Sequence, residues 1–442
     1  MPNLQELLPV NSLAIDAIYA YHKQRGDSEL QRQYLGMSEI GHICTRFLWY
    51  RFRHCCKSEF TGRMYRLFET GQLAETRFAN ELRAIGCEVY ETNELGEQFG
   101  FSELGGHFRG HMDGCAIKTP GREKTWVGLE YKTHNEKSFT KLTKEGVEKC
   151  KPQHYAQCQC YMASSGLTRF LYLAVNKNDD SLYCEVIRYN KEYAKNLKCK
   201  AERIITSPTP PERISDRPDF WQCTYCEAKE ICFGIQTPGK AVALPVPAIS
   251  CRQCCHATPT MDGNAHWKCE KHGRGLSEAD QAEACIDHLC LPGLFAYSIP
   301  IDYSENHIEF SLLEQTKTND QLWKHGKGEG CFSTKELMVL SQQQLHIGMI
   351  QIAKNLYQAE ITEVCHNDIL KRYPDSDVAV VWSGRASDLV EIWKRKFDEN
   401  LESLIPIAIS NNFEARAAEY QGGRVAVYYE NCKQAEIRRR KE

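Results

Sequence analysis

Apolar residues first fall into a helical rhythm at Leu4, Leu7, Leu8, Leu13, Ile15 and Ile18, which predicts a helical lead-in over residues 1–35. Residues 36–56 are aromatic and basic and predict a helix after Ser38. From Gly71 the pattern sharpens. Leu73, Phe78, Leu82 and Ile85 recur on or near one face, so 72–85 reads as an amphipathic helix. Residues 87–91 read as a short strand. Residues 107–118 and 125–132 read as two more, split by the turn Thr119-Pro120-Gly121. Helical stretches follow at 136–147 and 152–165. Strands at 169–176 and 182–189 are split by Asn178-Asp179-Asp180. This order of helices and strands predicts an α/β (α+β) core.

The breakers divide the rest. Pro208, Pro210 and Pro211 end the core, and Pro238, Pro245 and Pro247 form a linker between two groups of cysteines. The expected parts are a lead-in (1–35), a core (36–206), a cysteine segment (207–240), a Cys/His module (249–294) and an accessory domain (295–442). In the last part, Ser333 or Thr334 reads as a helix cap, Trp382 and Trp393 as core residues, and Arg438, Arg439, Arg440 and Lys441 as a basic tail.

Composition narrows the class. The 442 residues carry a formal charge of −3, so the chain as a whole is no basic coat for nucleic acid. Two stretches are locally basic. Residues 118–151 hold nine Lys or Arg against five Glu, and 188–203 hold six against two. Such stripes suit a phosphate backbone or a solvated face. No stretch approaches the roughly 20 apolar residues of a membrane span. Residues 1–21 do not read as a signal peptide, so a cytoplasmic location is expected. There, 22 cysteines point to metal binding more than to disulfides.

The sharpest chemistry lies on the predicted strands. Asp113 sits in Gly110-His111-Met112-Asp113-Gly114, and Glu130 and Lys132 sit in Leu129-Glu130-Tyr131-Lys132. Residues two apart on a strand face one side, so Glu130 and Lys132 share a site that Asp113 can reach from the neighbouring strand. Carboxylates so placed can hold Mg²⁺ or Mn²⁺, and the lysine can orient a water and stabilise charge on a phosphate.

This set resembles the PD-(D/E)XK nuclease superfamily, in its RecB-type, AddB, λ-exonuclease-type and CRISPR-adaptation branch. There, a helix with Gly-x-x-x-His/Glu precedes an Asp, a Glu-x-Lys and a Gln-x-x-x-Tyr. Here these are Gly71 to Glu75, Asp113, Glu130 to Lys132, and Gln157 to Tyr161. The resemblance implies a restriction-endonuclease-like core with a mixed central sheet flanked by helices. It implies that Glu75, Asp113 and Glu130 bind metal and that Gln157 and Tyr161 position substrate or active-site groups. Many RecB-type members carry His where Glu75 stands.

Cys223, Cys226 and Cys232 follow a Cys-x₂-Cys-x₅-Cys spacing and need a fourth ligand. Cys44 is the candidate, with Cys55 and Cys56 as rivals. Cys44 resembles the N-terminal cysteine of iron–sulfur nucleases in this branch, which implies a 4Fe–4S cluster; Zn²⁺ on the same thiolates is the alternative. Cys251 and Cys254 form a second knuckle. A resemblance to a small module of phage-encoded nuclease-like proteins favours Cys269 and Cys285 as its other structural Zn²⁺ ligands, with His256 and His288 as alternatives. Cys87, Cys115, Cys150, Cys158, Cys160, Cys184 and Cys199 read as small apolar packing residues.

Together these readings predict an Mg²⁺- or Mn²⁺-dependent deoxyribonuclease. The resemblance leans toward an exonuclease in phage recombination or replication, with DNA and a recombination or replication protein as partners. A non-catalytic DNA-binding or adaptor platform and an RNA-directed nuclease are the rivals.

Overall fold

The computed structural model describes residues 13–343, apart from 30, 235–243, 245, 283–284, 313–321 and 329. It also describes the strands at 377–383, 405–410, 413–420, 424–429 and 434–439. The chain divides into two compact units, 1–214 with 258–276, and 215–257 with 277–442. It is a mixed α/β protein with several sheets.

The first unit opens with α1 (Leu13–Asp27), β1 (Leu35–Gly36) and α2 (Thr45–Phe52). Then comes α3 (Gly62–Ala84), which begins ten residues before the predicted helix because Thr61 caps it by accepting from Met64 N. β2 (Glu88–Tyr90), β3 (Gly100–Glu103), β4 (Phe108–His111), β5 (Gly114–Ile117) and β6 (Val127–His134) follow. After them run α4 (Glu136–Cys150), α5 (Pro152–Ser165), β7 (Arg169–Asn176), β8 (Leu182–Arg188) and α6 (Lys191–Thr206).

The central sheet has the order β2-β5-β6-β7-β8 and is mixed: β6 and β7 are parallel, the other neighbours antiparallel. The parallel pair forms because α4 and α5 carry the chain back to the start of the sheet. β6 and β7 are accordingly buried along nearly their whole length.

Alternation along the strands builds two faces. Val127, Leu129, Tyr131, Leu171, Leu173 and Val175 join Phe78, Ala79 and Leu82 of α3 in one apolar core. Phe78 stacks on Tyr131 with ring centroids 5.4 Å apart. The other face carries Gly128, Glu130, Lys132 and His134, and α5 packs there. At the far end, the Arg77 guanidinium clamps Asp180 of the β7–β8 turn through two bonds of 2.8 and 2.7 Å.

The single strand expected over 107–118 is two. β4 belongs to a separate sheet, β1-β4-β3, and β5 to the central one. The break falls at Met112 and Asp113. It needs glycine next: a Cβ on Gly114 would sit 2.6 Å from the Tyr90 carbonyl oxygen.

Residues 258–276 also pack in the first unit. Their small sheet is formed by β9 (Ala257–Pro259), β10 (Trp267–Cys269) and β11 (Arg274–Leu276). His107 Nε2 lies 2.9 Å from Thr260 O and 3.1 Å from His266 O, and Ala265 N donates to Gly105 O. Gly105 has φ +64°, and a Cβ there would lie 2.5 Å from Met261 Cα.

In the second unit, α7 (Lys229–Phe233) follows the first cysteine segment, and α8 (Glu278–Ala282) comes later in the chain. β12 (Ser298–Tyr303), β13 (His307–Leu312), β14 (Leu322–Gly326) and β15 (Cys331–Phe332) make a four-stranded sheet. Its core is aromatic, with Trp323 stacked on Phe310 at 4.5 Å. α9 (Thr334–Gln343) is capped by Ser333, whose hydroxyl accepts from Glu336 N while Glu336 Oε2 accepts from Ser333 N.

Five antiparallel strands, β16 (Asp377–Ser383), β17 (Ile405–Ser410), β18 (Phe413–Tyr420), β19 (Arg424–Tyr429) and β20 (Gln434–Arg439), form the last sheet. Arg438 and Arg439 are therefore not tail residues: they pair with Val378 and Asp377 and with Val425 and Arg424. Trp393, Arg440 and Lys441 lie outside the described residues.

Candidate active site on the central sheet

The site is built where β5 and β6 meet. Gly114 pairs with Leu129, which sets Asp113 beside the middle of β6. Tyr131 N donates to Asp113 Oδ2 at 2.8 Å. On either side of that amide, Glu130 and Lys132 project from the face opposite α3. The Lys132 ammonium pairs with Glu130 Oε1 and also donates to Tyr131 O at 3.0 Å. Glu130 is fully buried.

α5 backs the pair. Gln157 Nε2 donates to Glu130 Oε2 at 3.2 Å, and the same nitrogen lies 3.2 Å from Tyr161 Oη. Gln157 and Tyr161 are one turn apart, so one helix face supplies both. Glu75 comes from α3 and is half-buried. Its charge is felt by Glu130, and its own carboxyl feels Asp113 and Lys132.

Electrostatics follow from this crowding. Burial, then repulsion from Asp113, pushes the Glu75 carboxyl up to about 7, against the pull of Lys132. Burial pushes Glu130 up to about 8, with Asp113 and Glu75 adding to it and Lys132 opposing. Burial also raises Asp113, while Lys132 and the Tyr131 amide lower it. Burial works against the Lys132 charge, but Glu130 and Asp113 outweigh it and hold the ammonium above the ordinary lysine range. As an ammonium, Lys132 only donates, to Glu130 and to the Tyr131 carbonyl.

Among the described residues, no three His, Cys, Asp or Glu side chains close around one point as a metal cage. Glu130 faces Lys132 and Asp113 faces the Tyr131 amide instead. The donor set nevertheless suits a hard divalent cation, because three acids drawn out of water are offset by a single ammonium and the raised carboxyls record that deficit.

A second group on the same sheet face lies outside the sequence-level set. Tyr172, the β7 partner of Glu130, is buried, and its hydroxyl lies 3.1 Å from His134 Nε2 and 2.8 Å from His154 Nδ1. Ser138 Oγ lies 3.2 Å from His134 Nδ1 and accepts from Lys151 Nζ at 2.6 Å. Spacing carried the signal: His134 is two residues past Lys132 on one strand, and His154 three before Gln157 on one helix.

The cysteines divide between the units. Cys44 caps α2 in the first unit, its Sγ accepting from Phe47 N at 3.4 Å. Cys223, Cys226 and Cys232 belong to the second, with Cys232 on α7. Cys251, Cys254 and Cys285 also belong to the second unit, whereas Cys269 lies on β10 in the first. His288 Nε2 lies 2.8 Å from Ser250 O and its Nδ1 2.9 Å from Thr334 Oγ1. Cys87, Cys158 and Cys160 pack as expected, but Cys184 and Cys199 are exposed. Cys184 lies on β8, which ends the sheet and, among the described residues, has one strand neighbour.

The basic stripes are partly used internally: Lys118 pairs with Glu88, Lys141 with Glu145 and Lys198 with Glu103. Lys200 donates to Ile40 O and His42 O. No described helix is long and apolar enough to cross a membrane.

No family model matches the chain, and no curated protein does. Among solved structures, SSO0001 is 14% identical, with a TM-score of 0.32 over 51% of this chain and 98% of that one. LHK-Exo in complex with dAMP is 15% identical, with a TM-score of 0.30 over 43% of this chain and 90% of that one. An alkaline exonuclease (LHK-Exo) from Laribacter hongkongensis is 14% identical, with a TM-score of 0.27 over the same shares of each chain.

Proposed function

We propose that the first unit is a nuclease of the PD-(D/E)XK type that hydrolyses DNA with Mg²⁺ or Mn²⁺. One observation carries the reading: Asp113 accepts from the amide of Tyr131, the residue between the paired Glu130 and Lys132, and Gln157 and Tyr161 back Glu130 from α5. Asp113, Glu130 and Glu75 would hold the cation. When bound, it would lower the pKa of an attacking water and offset charge on the phosphate. Asp113 is oriented by the Tyr131 amide, and Gln157 fixes the rotamer of Glu130. Lys132 stands ready to donate to the water or to a phosphate oxygen, where a preformed cation needs no reorganisation. The burial of Glu130 keeps bulk water from screening that charge.

The resemblance supports exonuclease action, a 4Fe–4S cluster on Cys44, Cys223, Cys226 and Cys232, and a structural Zn²⁺ on Cys251, Cys254, Cys269 and Cys285. Iron, sulfide and zinc analysis of protein purified without air tests the two metal centres; Zn²⁺ without iron would replace the first by a zinc site. The activity is tested by degradation of end-labelled single- and double-stranded DNA, and of RNA, with Mg²⁺, Mn²⁺ or EDTA. Metal-dependent loss of label by wild type and not by Lys132→Ala is expected. DNA binding without cleavage, from protein with its metals present, would move the reading to a binding platform.

A further inference from the structure

Five side chains on the sheet face beside the candidate site form one hydrogen-bonded row: Lys151, Ser138, His134, Tyr172 and His154. An ammonium can only donate, so the row has a polar start at Lys151. Ser138 accepts from it, and the cooperative arrangement has each later group donate to the next. Ser138 then donates to His134 Nδ1, His134 Nε2–H to the Tyr172 hydroxyl, and Tyr172 to His154 Nδ1. Each of the four contacts then has one donor and one acceptor. Burial and the nearby lysines, Lys151 and Lys132 for His134 and Lys132 for His154, hold both imidazoles far below their ordinary pKa. Both are neutral near pH 7, so each ring carries one N–H. In this arrangement His154 carries its hydrogen on Nε2, which has no hydrogen-bond partner among the described residues, on a side chain that is only half-buried.

We infer that His154 is a substrate-binding residue whose neutral Nε2–H donates to a phosphate oxygen of the nucleic-acid strand beside Lys132, with Tyr172 as the positioning residue that fixes its tautomer. This rests on the nuclease reading for the identity of the phosphate. A neutral donor suits that position because Lys132 and Lys151 already supply positive charge, and a third cation among them would be repelled.

The experiment uses full-length protein in EDTA, where no cleavage is needed. Nitrogen-15 NMR of histidine-labelled protein reads the His154 tautomer, and fluorescence anisotropy reads binding of a labelled oligodeoxynucleotide. Wild type should show the Nε2–H form, and its signal should shift on adding oligonucleotide. His154→Ala should weaken binding about tenfold. His154→Gln, whose amide can also donate, should recover part of that loss. Tyr172→Phe keeps the ring packing and should mix the tautomers. An Nδ1–H form in wild type, or His154→Ala binding as tightly as wild type, would overturn the inference. Should His154→Ala fail to fold, the wild-type tautomer and the Tyr172→Phe spectrum decide. Wild type that binds but never cleaves would sink the nuclease reading alone.

Discussion

The Tyr131 amide and the Asp113 carboxylate are joined by a 2.8 Å hydrogen bond. That contact registers the turn before β5 against the middle of β6, so the turn's carboxylate is fixed at the residue between Glu130 and Lys132. The candidate chemistry depends on it, because neither strand alone brings two carboxylates and an ammonium together.

Lys132→Ala and Asp113→Asn are each expected to lower DNA cleavage by at least about a hundredfold, the usual loss when one preorganised electrostatic group is removed. Circular dichroism should show both folded, since the amide oxygen that Asp113→Asn leaves in place can still accept from Tyr131 N. Cleavage near the wild-type rate in either variant, after rigorous removal of contaminating nuclease, would refute the assignment.

Glu75 and Glu130 sit at about 7 and about 8, above the ordinary 4.5. Both bind their proton more tightly folded than unfolded, so their contribution to stability is full below that ordinary value and is lost as pH rises through about 7 to 8. In EDTA, the protein should therefore melt lower at about pH 8.5 than at about pH 6. Mn²⁺ needs the ionised carboxylates, so it should raise the melting temperature more at the higher pH. Cleavage should climb across the same window. A metal effect equal at both pH values would argue against these carboxyls as ligands.

Gln157→Glu places a second acid against Glu130, where Gln157 Nε2 now donates. Repulsion should raise the carboxyl pKa further and move the rising limb of the pH–rate profile up by about one unit. Gln157→Ala removes the donor without adding charge and should lower the rate with a smaller shift. Identical profiles for both variants would mean that Gln157 acts through packing alone.

Gly105→Ala should destabilise the first unit by about 2–4 kcal/mol, because a left-handed backbone and an overlap with Met261 act together. Gly121→Ala is the control: its φ is +72°, but nothing lies within 4 Å of the added Cβ, so about 1 kcal/mol is expected. Urea unfolding of the two variants reads the difference. Equal losses would show that residues 258–276 do not pack on Gly105 in solution.

The amino-acid sequence by itself determined the elements whose signals are local. The strand at 169–176 follows an uninterrupted apolar run, and the helix at 152–165 opens at Pro152 and closes at Gly166 in the left-handed conformation. Glu130 and Lys132 share a face because a strand repeats every two residues. Only the tertiary structure decided how these elements meet. It cut the 107–118 strand at Asp113, because β4 pairs in one sheet and β5 in another. It set residues 258–276 within the first unit through His107 and Gly105. It turned Arg438 and Arg439 into strand residues by pairing them with β16 and β19. It also gathered Lys151, Ser138, His134, Tyr172 and His154 into one row, though these residues come from β6, α4, β7, the start of α5 and the residue before it. Periodicity reports which side of an element a residue occupies; pairing register and helix docking choose its neighbours, and those choices depend on contacts far apart in the chain.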